Sequence, residues 1–132
     1  AGLLRLMFRP HPTLGATVPT VGWLPALAME VVLTFLLMFV ILNVSTGYME
    51  KGTMAGVAVG GTVALAALFG GPISGASMNP IRSLAPATVA TIGELQWLYV
   101  VGPVLGALLA SPTCRMVQGR DFCDQACAGP EA

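Results

Sequence analysis

The chain has 132 residues, 55% of them hydrophobic and 9% charged, with a mean hydropathy of +0.81; a water-soluble domain carries about 25% charged residues, so the bilayer is the solvent that this composition fits. Six basic residues balance six acidic ones, which removes the electrostatic footprint that nucleic-acid binding needs, and the apolar excess excludes disorder. One domain with about three membrane crossings is what the length accommodates.

In chain order, residues 1–8 (AGLLRLMF) read as the end of an apolar helix whose beginning is missing, so the chain reads as a fragment. The opening residues lack the basic region, apolar run and small-residue cleavage site of a signal peptide. Residues 9–21 hold Pro10, Pro12, Gly15 and Pro19 and predict a loop outside the hydrocarbon. Residues 24–46 form the first expected span, long enough to cross about 30 Å of hydrocarbon at about 1.5 Å per residue, with Trp23 as an interfacial anchor at its edge. A tight turn is expected at residues 47–52 (GYMEKG), with Tyr48 at the interface. The second span, about 53–69, is built from Gly, Ala and Val, and Gly56 and Gly60 stand one helical turn apart as a small-residue contact face. The third span, about 95–111, repeats that spacing at Gly102 and Gly106 and should bend at Pro103. From residue 112 the chain reads as a polar tail. Arg5 and Arg9 on one side stand against Lys51, Arg115 and Arg120 on the other, a three-to-two balance that puts the turn and tail in the cytoplasm.

Residues 70–90 (GGPISGASMNPIRSLAPATVA) are too apolar for a solvated loop, yet Gly70, Gly71, Pro72, Gly75, Pro80 and Pro86 interrupt any spanning helix. A re-entrant segment reconciles the two: extended backbone enters the membrane and a short helix returns, buried in protein or lining water. Asn79 suits the N-cap of that helix and Pro80 its first position, and the helix is expected over 80–88 with its positive dipole end at Asn79. Arg82, between two spans, costs several kcal/mol unless it meets water or partners, so it should project into a polar path. The alternative is an ordinary loop outside the membrane with a solvated arginine.

The run SGASMNPIRSL at residues 74–84 resembles the second signature motif of the aquaporin and glycerol-facilitator family, the major intrinsic proteins, and GGPISGASMNP is most similar to its nodulin-26-like and related bacterial branch. LGATVP at residues 14–19 resembles the family's loop before its fourth helix, and MEVVLTFLLMFVI resembles that helix with its membrane-embedded glutamate, here Glu30. The resemblance implies an all-α membrane protein of three transmembrane helices plus a re-entrant half helix, equivalent to one of the fold's two inverted repeats. Residues 1–111 would then be the C-terminal half of a channel domain and 112–132 a cysteine-containing tail. It further implies that Asn79, in an Asn-Pro turn with Pro80, donates to passing solute at the pore centre, that the half-helix ends oppose cations, and that Arg82 is the arginine of the narrow filter. Ala76 and Ala67 fall on the other filter positions of this half. In strict water channels the equivalent of Ala67 is usually a bulky histidine, so two alanines imply a wider opening that admits glycerol, urea or undissociated metalloid hydroxides such as arsenous acid. The fourth filter residue belongs to a helix outside this chain. Ile81 departs from the family's usual alanine after Asn-Pro and would put a bulkier group at the pore centre, shifting selectivity. Glu30 is expected to hold the re-entrant segment by accepting backbone hydrogen bonds; the alternative is a glutamate that snorkels from the helix end. The implied partners are the lipid bilayer of the plasma or inner membrane, a complementary N-terminal half and, for the whole channel, three further copies in a homotetramer; no cofactor is implied.

Cys114, Cys123 and Cys127 are an odd number, which rules out a disulfide scaffold within one chain. Three thiolates would suit a soft trivalent metalloid, whereas a tail with reactive or lipidated thiols is the plainer alternative, and zinc lacks a fourth ligand. His11 reads as a solvated side chain. No nucleophile, base and orienting group can be assembled, so no enzyme is expected. The rival to a channel is a non-conducting half or interaction subunit that must find its complement.

Overall fold

The computed structural model describes residues 2–7, 13, 15–46 and 53–118. Among them the chain is all helical: α1 (Gly2–Met7), α2 (Trp23–Thr46), α3 (Thr53–Ser74), α4 (Pro80–Ala90) and α5 (Leu98–Gln118). Three stretches are long and apolar enough to cross a membrane, Trp23–Val44, Met54–Ser74 and Leu98–Gln118. The 47–52 turn, His11, Arg9, Cys123 and Cys127 lie outside the described residues.

α2 is the central helix, packed chiefly on α5 and secondly on α3, and α4 leans on α5. Glycine makes the α2–α5 approach possible. A Cβ on Gly102 would lie 2.7 Å from Glu30 Cβ, and one on Gly106 would lie 2.5 Å from the Val31 carbonyl oxygen and 2.8 Å from Phe35 N. Since these obstacles are largely backbone, the two helices touch main chain to main chain, as small-residue pairs permit in membranes. Gly70 brings α3 onto α2 against a side chain instead, that of Leu33. The expected contact face at Gly56 and Gly60 has no such role here: added Cβ atoms would meet nothing within 4 Å, so that face has no partner among the described residues.

Two helix ends differ from expectation. The second span does not stop at residue 69 but runs through Gly70, Gly71 and Pro72 to Ser74. The last turn persists because other groups take up the carbonyls that a helix end leaves open. Gly75 N donates to Gly71 O at 3.0 Å, the Thr20 hydroxyl meets the Pro72 and Ile73 carbonyls, Thr20 N donates to Ile73 O at 3.2 Å, and Tyr99 Oη donates to Ser74 O at 2.6 Å. Every one of the last four carbonyls of α3 therefore has a donor. The third span starts three residues late, because residues 94–97 form a turn closed by Leu98 N on Leu95 O at 3.1 Å, and it continues past Pro112 to Gln118. Residues 112–118, read from sequence as tail, are helical, and Gln118 bonds Asn43 at the far end of α2. Trp23 and Trp97 meet at the opposite end of these helices, with ring centroids 6.2 Å apart.

The Gly106 contact is open to direct test. Gly106→Val should destabilise the fold by about 1–3 kcal/mol or more, the usual cost of overpacking, whereas Gly56→Ala should change stability by less than about 0.5 kcal/mol. Unfolding in detergent micelles measures both, and equal effects would contradict the backbone contact.

Candidate functional site

The site begins with a backbone problem. Residues 75–79 follow α3 outside any helix; beyond Gly75, whose N–H still reaches Gly71 O, their N–H groups have no helical acceptors, and at membrane depth each unpaired group costs several kcal/mol. Glu30 answers it from α2. The side chain is fully buried; Oε1 accepts from Ser77 N at 2.9 Å and from Ser74 Oγ at 2.8 Å, and Oε2 accepts from Met78 N at 2.9 Å. Ala76 N donates to Ser74 Oγ at 3.2 Å. An ionised carboxylate is a pure acceptor, and bonds to it are shorter and stronger than neutral ones, so three donors converging on one buried group both satisfy it and fix the segment. That grip sustains an unfavourable backbone: Gly75 (φ 87°), Ala76 (φ 45°) and Met78 (φ 52°) all lie in the left-handed region, which costs a non-glycine residue about 1–3 kcal/mol.

With the amides of residues 76–78 turned to Ser74 and Glu30, the Ala76 carbonyl is left for another partner. Arg82 Nη1 donates to it at 2.9 Å. The guanidinium has five N–H donors in a rigid fork, so one bond anchors it and leaves others for a visitor. α4 opens as the sequence anticipates: Asn79 is the N-cap, its Oδ1 accepting from Ile81 N at 2.9 Å, and Pro80 occupies the first turn. The capping bond uses the oxygen of the Asn79 amide. Its Nδ2 has no hydrogen-bond partner among the described residues, and the side chain is exposed.

These groups share one concavity of about 270 Å³, lined by Leu37 of α2, Val63 and Ala67 of α3, and Ala76, Ser77, Met78, Asn79 and Arg82. The structure thus brings together Ala67, Ala76, Asn79 and Arg82 from the expected pore set, with Glu30 behind them. Pro80 and Ile81 do not line the concavity, and Ile81 projects from the first turn of α4 with 70% of its surface exposed. Sequence reasoning missed Val63, Leu37 and Met78. Val63 was findable, since it stands four residues before Ala67 on one helix face; Leu37 and Met78 carried no such signal. Cys114 is buried on α5 and disulfide-bonded, and a disulfide sulfur is not the thiolate that coordinates a metal or metalloid. Among the described residues no group of three or more His, Cys, Asp or Glu is placed to hold a metal ion.

Three apolar spans and a half helix whose N-terminus opens into a polar notch define one repeat of a membrane channel fold. The family model for the major intrinsic proteins matches residues 1–113, and the chain belongs to that family. It is 51% identical over 106 residues to aquaporin NIP1-4 of Oryza sativa subsp. japonica, covering 80% of this chain and 39% of the relative. Aquaporin NIP6-1 of Arabidopsis thaliana is 44% identical over 115 residues, 87% of this chain and 38% of the relative. Nodulin-26 of Glycine max is 43% identical over 122 residues, 92% and 45%. The chain therefore spans less than half the length of these relatives.

The Glu30 grip generates its own prediction. Glu30→Ala strands the Ser77 and Met78 amides, each worth about 1–3 kcal/mol when buried and unpaired, so hydrogen exchange at residues 76–79 should accelerate strongly and thermal stability should fall. Glu30→Gln should fall between, because its amide nitrogen sets a donor against a donor.

Proposed function

We propose that this chain is the C-terminal half of a channel for passive diffusion of water and small neutral solutes, completed by a complementary half of inverted topology. The observation that carries the reading is the convergence of Asn79, Arg82, Ala67 and Ala76 on one concavity beside a backbone loop that Glu30 holds open. The chemistry follows from the donors. A solute oxygen accepts from Asn79 Nδ2 and from the free N–H groups of Arg82, which replace part of its hydration. The guanidinium is permanently charged, and the N-terminus of α4 adds the positive end of a helix dipole, so cations are opposed at both points.

Selectivity rests on size. Ala67 and Ala76 present only methyl groups to the concavity, which leaves room for polyols such as glycerol, for urea, and for undissociated metalloid hydroxides such as arsenous acid, all neutral and rich in hydroxyl or amide groups. The relatives named as aquaporins support water and small solutes as the cargo class. As in the family, we place the channel in the plasma or inner membrane as a homotetramer with its tail in the cytoplasm, acting as a pore without a cofactor and not as an enzyme.

A second reading, a non-conducting half or interaction subunit, draws on a specific feature: among the described residues the concavity is open to the surface, and Asn79 and Ile81 are exposed. Stopped-flow light scattering of proteoliposomes separates the two. A channel accelerates swelling in glycerol above empty vesicles; a packing subunit does not.

Two substitutions in the native gene product probe the filter. Arg82→Ala should widen it and relax the exclusion of cations, read as a new ion conductance in planar bilayers. Ala67→His should lower glycerol permeability more than water permeability, because the imidazole narrows the path. Equal losses of both solutes would remove Ala67 from the filter.

A further inference from the structure

The segment before α2, expected from sequence to be a loop outside the hydrocarbon, sends one side chain into the protein. Thr17 is 8% exposed and is held at three points. Its methyl fills the space that a Cβ on Gly75 would occupy, its carbonyl accepts from Gln96 Nε2 at 3.0 Å, and its hydroxyl lies 2.8 Å from Ser83 Oγ. Ser83 Oγ lies in turn 2.6 Å from Ser77 Oγ, and Ser77 Oγ donates to the Asn79 carbonyl at 2.8 Å. Ser77 and Ser83 are buried, as is Gln96.

Hydroxyl stoichiometry gives this chain a direction. Each hydroxyl has a single hydrogen. Ser77 spends its own on Asn79 O, so it accepts from Ser83; Ser83 has then used its hydrogen and accepts from Thr17. The order is Thr17 to Ser83 to Ser77 to the Asn79 carbonyl, a chain in which each bond polarises the next. Its last member orients the peptide group of the residue whose amide opens into the concavity, and its middle member sits next to Arg82 in sequence. Glu30 accepts from the Ser77 and Met78 amides of the same segment.

We propose that Thr17 is a positioning residue for the selectivity filter, acting through Ser83 and Ser77 on Asn79 and not by touching the solute. The inference rests on the channel reading for its effect on selectivity, and on the hydrogen-bond chain alone for its effect on the loop. A single net hydrogen bond is worth about 0.5–1.5 kcal/mol, a factor of about two to twelve, so a measurable loosening is expected without unfolding.

The test uses the native gene product in proteoliposomes and nanodiscs with Thr17→Val, which keeps the methyl and removes the hydroxyl, Thr17→Ser, which does the reverse, and Ser83→Ala, which cuts the chain in the middle. The glycerol-to-sorbitol permeability ratio should fall about threefold in T17V and further in S83A, with T17S close to the parent protein. T17V should add nothing in the S83A background, as for members of one network. Hydrogen exchange at residues 77–83 should quicken in T17V and S83A, while the amides of Gly102 and Gly106 keep their protection. Equal effects of T17V and T17S would assign the role to the methyl and overturn the proposal, as would unchanged exchange at residues 77–83. If the parent protein moves glycerol no faster than empty vesicles, the channel reading fails, and the exchange comparison alone decides whether Thr17 positions the loop.

Discussion

The buried Glu30 carboxylate is the interaction on which the rest depends. A chain crossing hydrocarbon has two ways to pair its backbone, helix or closed sheet, and residues 75–79 adopt neither. Their amides are paired instead by a side chain: the two carboxylate oxygens take Ser77 N, Met78 N and Ser74 Oγ. Burying a carboxylate alone is prohibitive, and burying one with three charge-assisted bonds is not. The left-handed conformations at Ala76 and Met78 persist because the donors have nowhere else to go.

The helix that supplies Glu30 is also the one that organises the packing. Gly102 and Gly106 let α5 approach α2 at the level of Glu30 and one turn beyond, so the carboxylate is walled by a close helix–helix contact. From the same helix Tyr99 reaches Ser74 O, the last carbonyl of α3. The re-entrant segment is therefore held from α2 at its amides, from α5 at its entry and from the Thr17 hydroxyl chain at its exit. In the proposed channel, rigidity at these three points would serve discrimination by size and by hydrogen-bond geometry, which is lost when a lining moves by a fraction of an ångström.

The division of roles along the segment has a simple geometric origin. The left-handed turns at Ala76 and Met78 gather the amides of residues 76–78 onto Ser74 and Glu30, and the Ala76 carbonyl is left to Arg82. Among the described residues Arg82 bonds only the Ala76 carbonyl and so keeps spare donors. Asn79 divides its amide likewise, with the oxygen used for the cap and the nitrogen left over. The concavity is thus a donor-rich notch in an otherwise apolar wall.

Much of this was legible in the sequence because it follows from local chemistry. Charge content and apolar runs determine membrane residence, Asn79-Pro80 determines where the half helix begins, and the motif resemblance singles out Glu30, Ala67, Ala76 and Arg82. What lay beyond reach were contacts between residues far apart in the chain. Local pattern ends the second span at Gly70-Gly71-Pro72, but Thr20 and Tyr99 supply donors from 52 and 25 residues away, and the helix continues to Ser74. Gly56-Gly60 and Gly102-Gly106 have the same spacing, yet among the described residues only the second pair meets a neighbour, because packing depends on which face α2 covers. Thr17, in a stretch that reads as solvated loop, is buried by its fit against Gly75 and Ser83. Composition and motif determine that the chain belongs in a bilayer and where its half helix begins; only the tertiary structure decides which of its polar groups are spent on one another and which are left over, since that depends on distances no local pattern encodes.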